Sequence, residues 1–236
     1  RIALRRVRLA GGSGRTRIVV PSGQVGPGDH LVEVSLAGWS DAEPRTDARL
    51  HYVSVAPTPG VVLLAAPGDW DSRFLYRTLR DVAQLPVKGF VRLDAERWRS
   101  MSDLREVPVE RVRQAARGAD LLILKGAIGT LADGATARGI LNWAAAASDE
   151  SRLPGDWYLA ADGGSPLAGA FLGLPVDSFP PAVQLTPFDA APGDLVALTA
   201  RLGRRGAARP AVVVRQEGRT RRVIVAVDGL WRWGRW

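Results

Sequence analysis

Asp69, Asp71, Lys125, Asp162, Ser165 and Asp228 are the side chains of this 236-residue chain whose types and positions suit chemistry. Each stands just past an apolar run that reads as a strand, and ligands of open α/β sheets bind beyond the carboxyl ends of strands. Asp69 and Asp71 follow the run 61–66, Lys125 ends the run 120–124, Asp162 and Ser165 follow 156–161, and Asp228 follows 222–227. Paired carboxylates so placed can act as acid and base, or hold a hard cation if Asp162 and Asp228 converge on Asp69 and Asp71. The plainer role of Asp69 and Asp71 is turn formation and helix capping. Lys125 can meet an anion or simply stand in solvent. A hydrolase using these carboxylates requires them to line one cleft, within about 10 Å of one another.

Nucleophilic catalysis is poorly provided for. The chain has no cysteine, and its two histidines, His30 and His51, both precede the region that carries the candidate residues. A serine nucleophile needs a base beside it, and near Ser165 the only alternative is Lys125 from another strand. The sequence Gly163-Gly164-Ser165-Pro166-Leu167 also places leucine where a G-x-S-x-G elbow has its second glycine. Ser165 reads better as the cap of a helix opening at Pro166. Without cysteine there is no disulfide framework and no thiolate metal site. No G-x-G-x-x-G or Walker loop follows any strand, so no nucleotide, cofactor or metal is indicated.

Basic residues outnumber acidic ones, 32 to 24, and only Lys88 and Lys125 are lysines. The tract 201–222 is the densest, and Arg204, Arg205, Arg219, Arg221 and Arg222 are its candidate anion-binding residues. Polyanion binding would need these arginines to share a face; outward arginines on a hairpin also keep a sheet edge from pairing with a neighbour. Nucleic acid is not expected, because no binding-module signature accompanies the charge. Trp231 and Trp233 alternate in a segment that reads as extended, which would turn both to one side as a platform for a sugar or protein partner. The competing reading has Trp231, Trp233 and Trp236 anchoring the chain end to the core.

The elements that must position these residues fall into two segments. Residues 1–57 alternate with a period of two, as in Val32, Val34 and Leu36 or His51, Val53 and Val55, and read as part of a β-sandwich. The glycine cluster Gly11 to Gly14 has no helix pattern after it and reads as a turn rather than a phosphate loop. After the stiff stretch 56–60, strands and helices alternate: strand 61–66, a helix with Phe74, Leu75, Leu79 and Val82 on one face and Asp71 or Ser72 as cap, strand 89–93, helix 110–117, strand 120–124, helix 135–148, strand 156–161 and a short helix 166–172. Such an order predicts a mainly parallel sheet with helices on both faces. Strands 195–200, 211–216 and 222–227 are expected as antiparallel additions, the last two joined tightly at Glu217-Gly218. The longest clean apolar run, 61–66, is far shorter than the ~20 residues that span a bilayer. No signal peptide opens the chain, and both ends read as cut from something longer.

With the strands placed, the region 58–236 resembles a class I glutamine amidotransferase-like domain, the flavodoxin-like layout shared with trehalose-utilisation-type domains. The resemblance is carried by VVLLAAPGDWDSRFL (61–75), ADLLILKG (119–126) and GRTRRVIVAVDGLWRW (218–233). More narrowly, SRFLYRTLRDVA, PLAGAFLGLPVDSFPP and DGLWRW are similar to the C-terminal part of large bacterial membrane proteins that join a von Willebrand factor A-like domain, a β module and this domain. In active amidotransferases the resemblance implies a cysteine on a sharp turn and a late His-x-Glu pair. Here Ser165 stands at the first place and Asp228-Gly229-Leu230 at the second, so glutamine hydrolysis is not expected. The sequence thus points to a non-catalytic interaction or ligand-sensing domain of a membrane-anchored bacterial protein, with other domains of the same parent chain or a protein as partner and membrane contact only through segments outside this chain. A carboxylate hydrolase and a polyanion-binding module are the alternatives.

Overall fold

A computed structural model describes residues 25–35, 48–55, 60–94, 97–143, 151–161, 164, 165, 167–171, 174 and 178–235. The expected strand and glycine turn before residue 25, the stretch 56–59, Asp162 and Trp236 lie outside them. The chain divides into two compact units, Arg1–Thr58 and Pro59–Trp236. In the first, strands β1 (Gly28–Ser35) and β2 (Ala48–Val55) form an antiparallel ribbon. Its register pairs Val32 with His51 and His30 with Val53, so the residues of period two share a face.

The second unit is built on one twelve-stranded mixed sheet. Its parallel part contains β3 (Val61–Ala66), β4 (Val87–Arg92), β7 (Leu121–Gly126), β8 (Gly139–Trp143) and β13 (Thr220–Val225). They lie side by side as β4-β3-β7-β8-β13, which in chain order of these five is 2-1-3-4-5. Strands β5 (Trp98–Ser100) and β6 (Glu106–Val107) extend the β4 edge antiparallel. β3 is buried along its whole length, as its unbroken apolar sequence requires. Its alternate residues enter different clusters. Val62, Leu64 and Ala66 pack with Val112 and Ala116 of helix α2 (Val109–Arg117), and Val61 and Leu63 with Tyr76 of helix α1 (Trp70–Arg77).

The remaining strands are antiparallel: β9 (Leu153–Ala160), β10 (Ala182–Leu185), β11 (Leu195–Leu202), β12 (Arg209–Glu217) and β14 (Val227–Asp228). Only Ala226 separates β13 from β14, so the order β13-β12-β11-β9-β10-β14 starts and ends on one continuous run of chain. This half therefore closes on itself as a small barrel-like ring, which removes the open edges an antiparallel meander would leave. Trp157, Leu159, Leu185, Ala200, Val212 and Val227 belong to the cluster that fills it.

Three expectations are corrected. The sheet is mixed, with seven of its eleven strand pairings antiparallel, not mainly parallel. β9, expected as a parallel strand, runs antiparallel to both its neighbours. Where a helix was expected over 135–148, a 3-10 turn at Gly129–Ala132 leads to β8 instead, held by parallel ladders on both sides. The alanine run that suggested the helix falls in 144–150, outside the described residues. Among the described residues helices longer than one turn are few, and α1 and α2 flank β3 rather than clothing both faces of the whole sheet.

A candidate functional site at the strand ends

The loop after β3 is shaped by α1. Asp69, not Asp71 or Ser72, is the N-cap: its carboxylate accepts from the Ser72 amide at 2.8 Å and the Ser72 hydroxyl accepts from the Asp69 amide, a reciprocal capping box. Capping uses Oδ1 of Asp69 and leaves Oδ2 directed at β7, where Lys125 Nζ lies 3.1 Å away. Asp71, in the first helical turn, is only 4% exposed and accepts from the backbone amides of Gly229 and Trp231, each at 2.7 Å. Asp228, ending β14, accepts from Lys125 at 2.5 Å.

Lys125 is the centre of this arrangement. It is the next-to-last residue of β7, the strand beside β3, and its side chain is buried with Nζ also 3.8 Å from Asp71. Parallel register sets it opposite Trp143 of β8, whose ring centroid lies 4.1 Å from the ammonium. Trp143 is itself fixed by its indole N–H, which donates to the Val227 carbonyl. Gly126 permits the approach of the two strand ends: a Cβ at that position would sit 2.1 Å from the Ala66 carbonyl oxygen, and its φ of +81° suits glycine. Gly229 plays the same part beside Asp71, since a Cβ there would meet Val183 at 2.9 Å.

Oxygens of Asp69, Asp71 and Asp228 lie within 4.8 Å of one another, close enough in spacing for a hard-cation site. The Lys125 ammonium stands among them and sets one positive charge against the three carboxylates. Burial pushes the Asp71 carboxyl above the ordinary carboxylate range, opposed by the Gly229 amide, the Lys125 charge and the Trp231 amide, and assisted by the neighbouring charge of Asp69. Chemically the group is a pre-formed ion cluster that ties the β3–α1 loop, the end of β7 and the end of β14 together. It lies beyond β3 and β7, between which the strand order reverses direction, the place where open α/β sheets bind ligands.

Comparisons with known protein families, curated proteins and solved structures give no match for this chain.

The other sequence candidates lie apart in their contacts. Ser165 is buried, donates its hydroxyl to the Ala197 carbonyl of β11 at 2.5 Å and accepts from the Leu167 amide at 3.1 Å. That is a cap-like role ahead of the single turn α3 (Ala168–Phe171), and it uses up the proton a nucleophile would surrender. Asp162 lies outside the described residues. Trp231 and Trp233 do not form one platform, because 230–235 coils into 3-10 helix rather than an extended segment. Trp231 stacks towards Trp70 and Phe74, while Trp233 packs on Phe179 and donates to the Pro180 carbonyl. The arginine tract divides between two turns. Arg204 and Arg205 lie at the β11–β12 turn and Arg219, Arg221 and Arg222 at the β12–β13 turn, and nine-residue β12 holds the two groups about 25–30 Å apart. Arg222 pairs with Glu217 at 2.9 Å and Arg215 with Asp194 at 2.8 Å.

Sequence reasoning missed Trp143 and the part Gly229 plays beside Asp71, and it did not single out the cross-strand pair Tyr158 and Arg201. Trp143 sat in a window that its alanine neighbours made look helical. The other residues acquire meaning only through cross-strand register.

Proposed function

We propose that the second unit is a non-catalytic, ligand-sensing or interaction domain with the flavodoxin-like layout of class I glutamine amidotransferase-like domains, whose strand ends are occupied by a structural ion cluster. The observation that carries this reading is Lys125, whose ammonium sits at the reversal point of the strand order and is paired with Asp69, Asp71 and Asp228. All three carboxylates lie within 4 Å of the one ammonium, and both oxygens of Asp71 accept from backbone amides at 2.7 Å. Groups so engaged serve the fold before they serve a substrate. The order 2-1-3-4-5 of the parallel strands, with α1 and α2 against opposite residues of β3, supports the flavodoxin-like part of the reading. Following the narrower resemblance, the parent would be a membrane-anchored bacterial protein whose other domains, or a protein partner, use this unit.

The second reading, a carboxylate hydrolase, draws on the convergence of Asp69, Asp71 and Asp228 within 4.8 Å. It ranks below the first because the lysine occupies the space between them. One experiment separates the two. The whole chain is screened for ester, phosphoester and glycoside hydrolysis alongside Asp69→Asn and Asp228→Asn. Absence of turnover by the folded wild-type chain supports the binding reading; a turnover that either substitution abolishes overturns it.

A further inference from the structure

Three exposed arginines, Arg138, Arg219 and Arg221, stand together at the end of the parallel strands remote from Lys125. Arg138 directly precedes β8, Arg221 is the second residue of β13, and Arg219 lies in the turn between β12 and β13. Register brings them side by side: Arg221 is the parallel partner of Gly139, and its amide donates to the Arg138 carbonyl at 2.9 Å. Gly139 begins β8 and Trp143, beside Lys125, ends it, so about 13 Å of strand separates this group from the ion cluster.

The backbone beneath the three side chains is braced. Gln216 donates to the carbonyls of Gly218 and Thr220, at 2.8 and 3.3 Å, and the Thr220 hydroxyl donates to the Ala137 carbonyl at 3.2 Å. The hairpin turn is thereby tied to the residue before Arg138. From strand spacing and rise, the three Cα atoms fall within about 12 Å of one another, close enough for their long side chains to reach one small anion. Arg222, between Thr220 and Val223 on the same strand, is paired with Glu217 at 2.9 Å, which occupies the carboxylate of the hairpin. Among the described residues, no ion pair, side-chain hydrogen bond or ring contact engages Arg138, Arg219 or Arg221. Protection of a sheet edge does not account for them, because β13 is flanked on both sides, by β12 and β8.

From this arrangement we infer that Arg138, Arg219 and Arg221 bind a diphosphate group. Guanidinium forks match phosphate oxygens. A single phosphate monoester carries about −1.5 to −2 at neutral pH, which leaves part of three positive charges unanswered, whereas two linked phosphates match them. The inference gives the ligand-sensing reading a site and a ligand class; it rests on that reading in taking the unit to bind its ligand without turning it over, and it involves no residue of the Lys125 cluster.

The test is a titration of the whole chain with inorganic pyrophosphate at low, constant ionic strength, followed through the backbone amide resonances of Arg138, Arg219 and Arg221. Saturable shifts are expected there, with a Kd on the order of 1 mM because each contact is exposed, while the indole N–H resonance of Trp143 stays in place. Arg138→Gln, Arg219→Gln and Arg221→Gln should each weaken binding about fivefold, the upper range for one exposed charge pair. Arg205→Gln removes an equal charge from the distant β11–β12 turn and should change nothing. No saturable shift up to about ten times the expected Kd, an equal loss on Arg205→Gln, or inorganic phosphate binding as tightly as pyrophosphate would overturn the inference. Vesicles of phosphatidylcholine and phosphatidylserine form the second arm: binding to them without a saturable pyrophosphate response would show a diffuse affinity for anionic surfaces and would overturn it too. Such a failure leaves the non-catalytic reading standing, because that reading is decided by turnover and by the aspartate variants.

Discussion

Lys125 and Arg204 are both cations laid over an aromatic ring, 4.1 Å above Trp143 and 4.2 Å above Tyr158, yet their surroundings are opposite. Lys125 is 5% exposed and meets three carboxylates; Arg204 is exposed on a turn and borders a cleft. A buried charge must be compensated inside the protein, because desolvating it unpaired costs more than the fold can supply. An exposed charge keeps much of its water and needs no such compensation. The difference teaches which cation of this protein is compensated inside the fold and which stands at its surface, although both lie near strand ends.

The largest effect should come from Lys125→Met. Removing the ammonium leaves Asp69, Asp71 and Asp228 facing one another, and breaking a buried ionic network typically costs about 3–5 kcal/mol. Urea denaturation at pH 7 measures the loss. A variant as stable as the wild type would show that the ammonium contributes nothing to holding the three strand ends together.

Asp71→Ala should cost less, about 2–4 kcal/mol, because it strands two amides but also removes a carboxylate whose burial is itself unfavourable. Indole resonances of Trp231 should shift with it. The sign of the pH dependence follows from the raised folded-state pKa. Above that pKa the ionised carboxylate carries its full burial penalty, and the penalty disappears as pH falls towards the ordinary carboxylate value. The stability of wild type relative to Asp71→Asn should therefore rise on acidification through that window. Asp194 provides the opposite case. Hydrogen bonds from Arg215 hold its carboxyl below the usual range, so its contribution is present at neutral pH and lost as pH falls through the lowered value. If both Asn variants changed in the same direction, the distinction between a burial-dominated and a partner-dominated carboxylate would fail.

The smallest effect on stability should be that of Arg204→Asn. Asparagine tolerates the left-handed backbone at φ of +65°, so relief of strain and loss of the ring contact should nearly cancel, within about 1 kcal/mol by thermal unfolding. A loss comparable with that of Lys125→Met would erase the contrast between the buried and the exposed cation.

Much of the strand-end cluster was legible in the sequence because strand ends are legible. Unbroken apolar runs such as Val61–Ala66 and Leu121–Gly126 can hardly be anything but buried strands, and residues just beyond them are then bound to share an edge. Asp69, Asp71, Lys125 and Asp228 were found that way. The helix over 135–148 misled because composition was read without the ladders that β7 and β13 offer to Gly139–Trp143. The Trp231 and Trp233 platform misled for a related reason: spacing in sequence fixes direction only once the backbone conformation is known, and a 3-10 turn sends the two rings to different neighbours.

Sequence by itself determined the absence of cysteine and of any histidine after His51, and with it the loss of thiol and imidazole chemistry in the second unit. It also determined which residues stand at the strand ends, since hydrophobic periodicity is a local property. Only the tertiary structure decided that the antiparallel half closes on its own starting strand, that Lys125 fills the space among three carboxylates, and that Arg201 faces Tyr158. Those facts depend on register and on contacts between residues up to 160 positions apart, as between Asp71 and Trp231. Local pattern cannot encode them, because many closures of the same strands would satisfy it equally well.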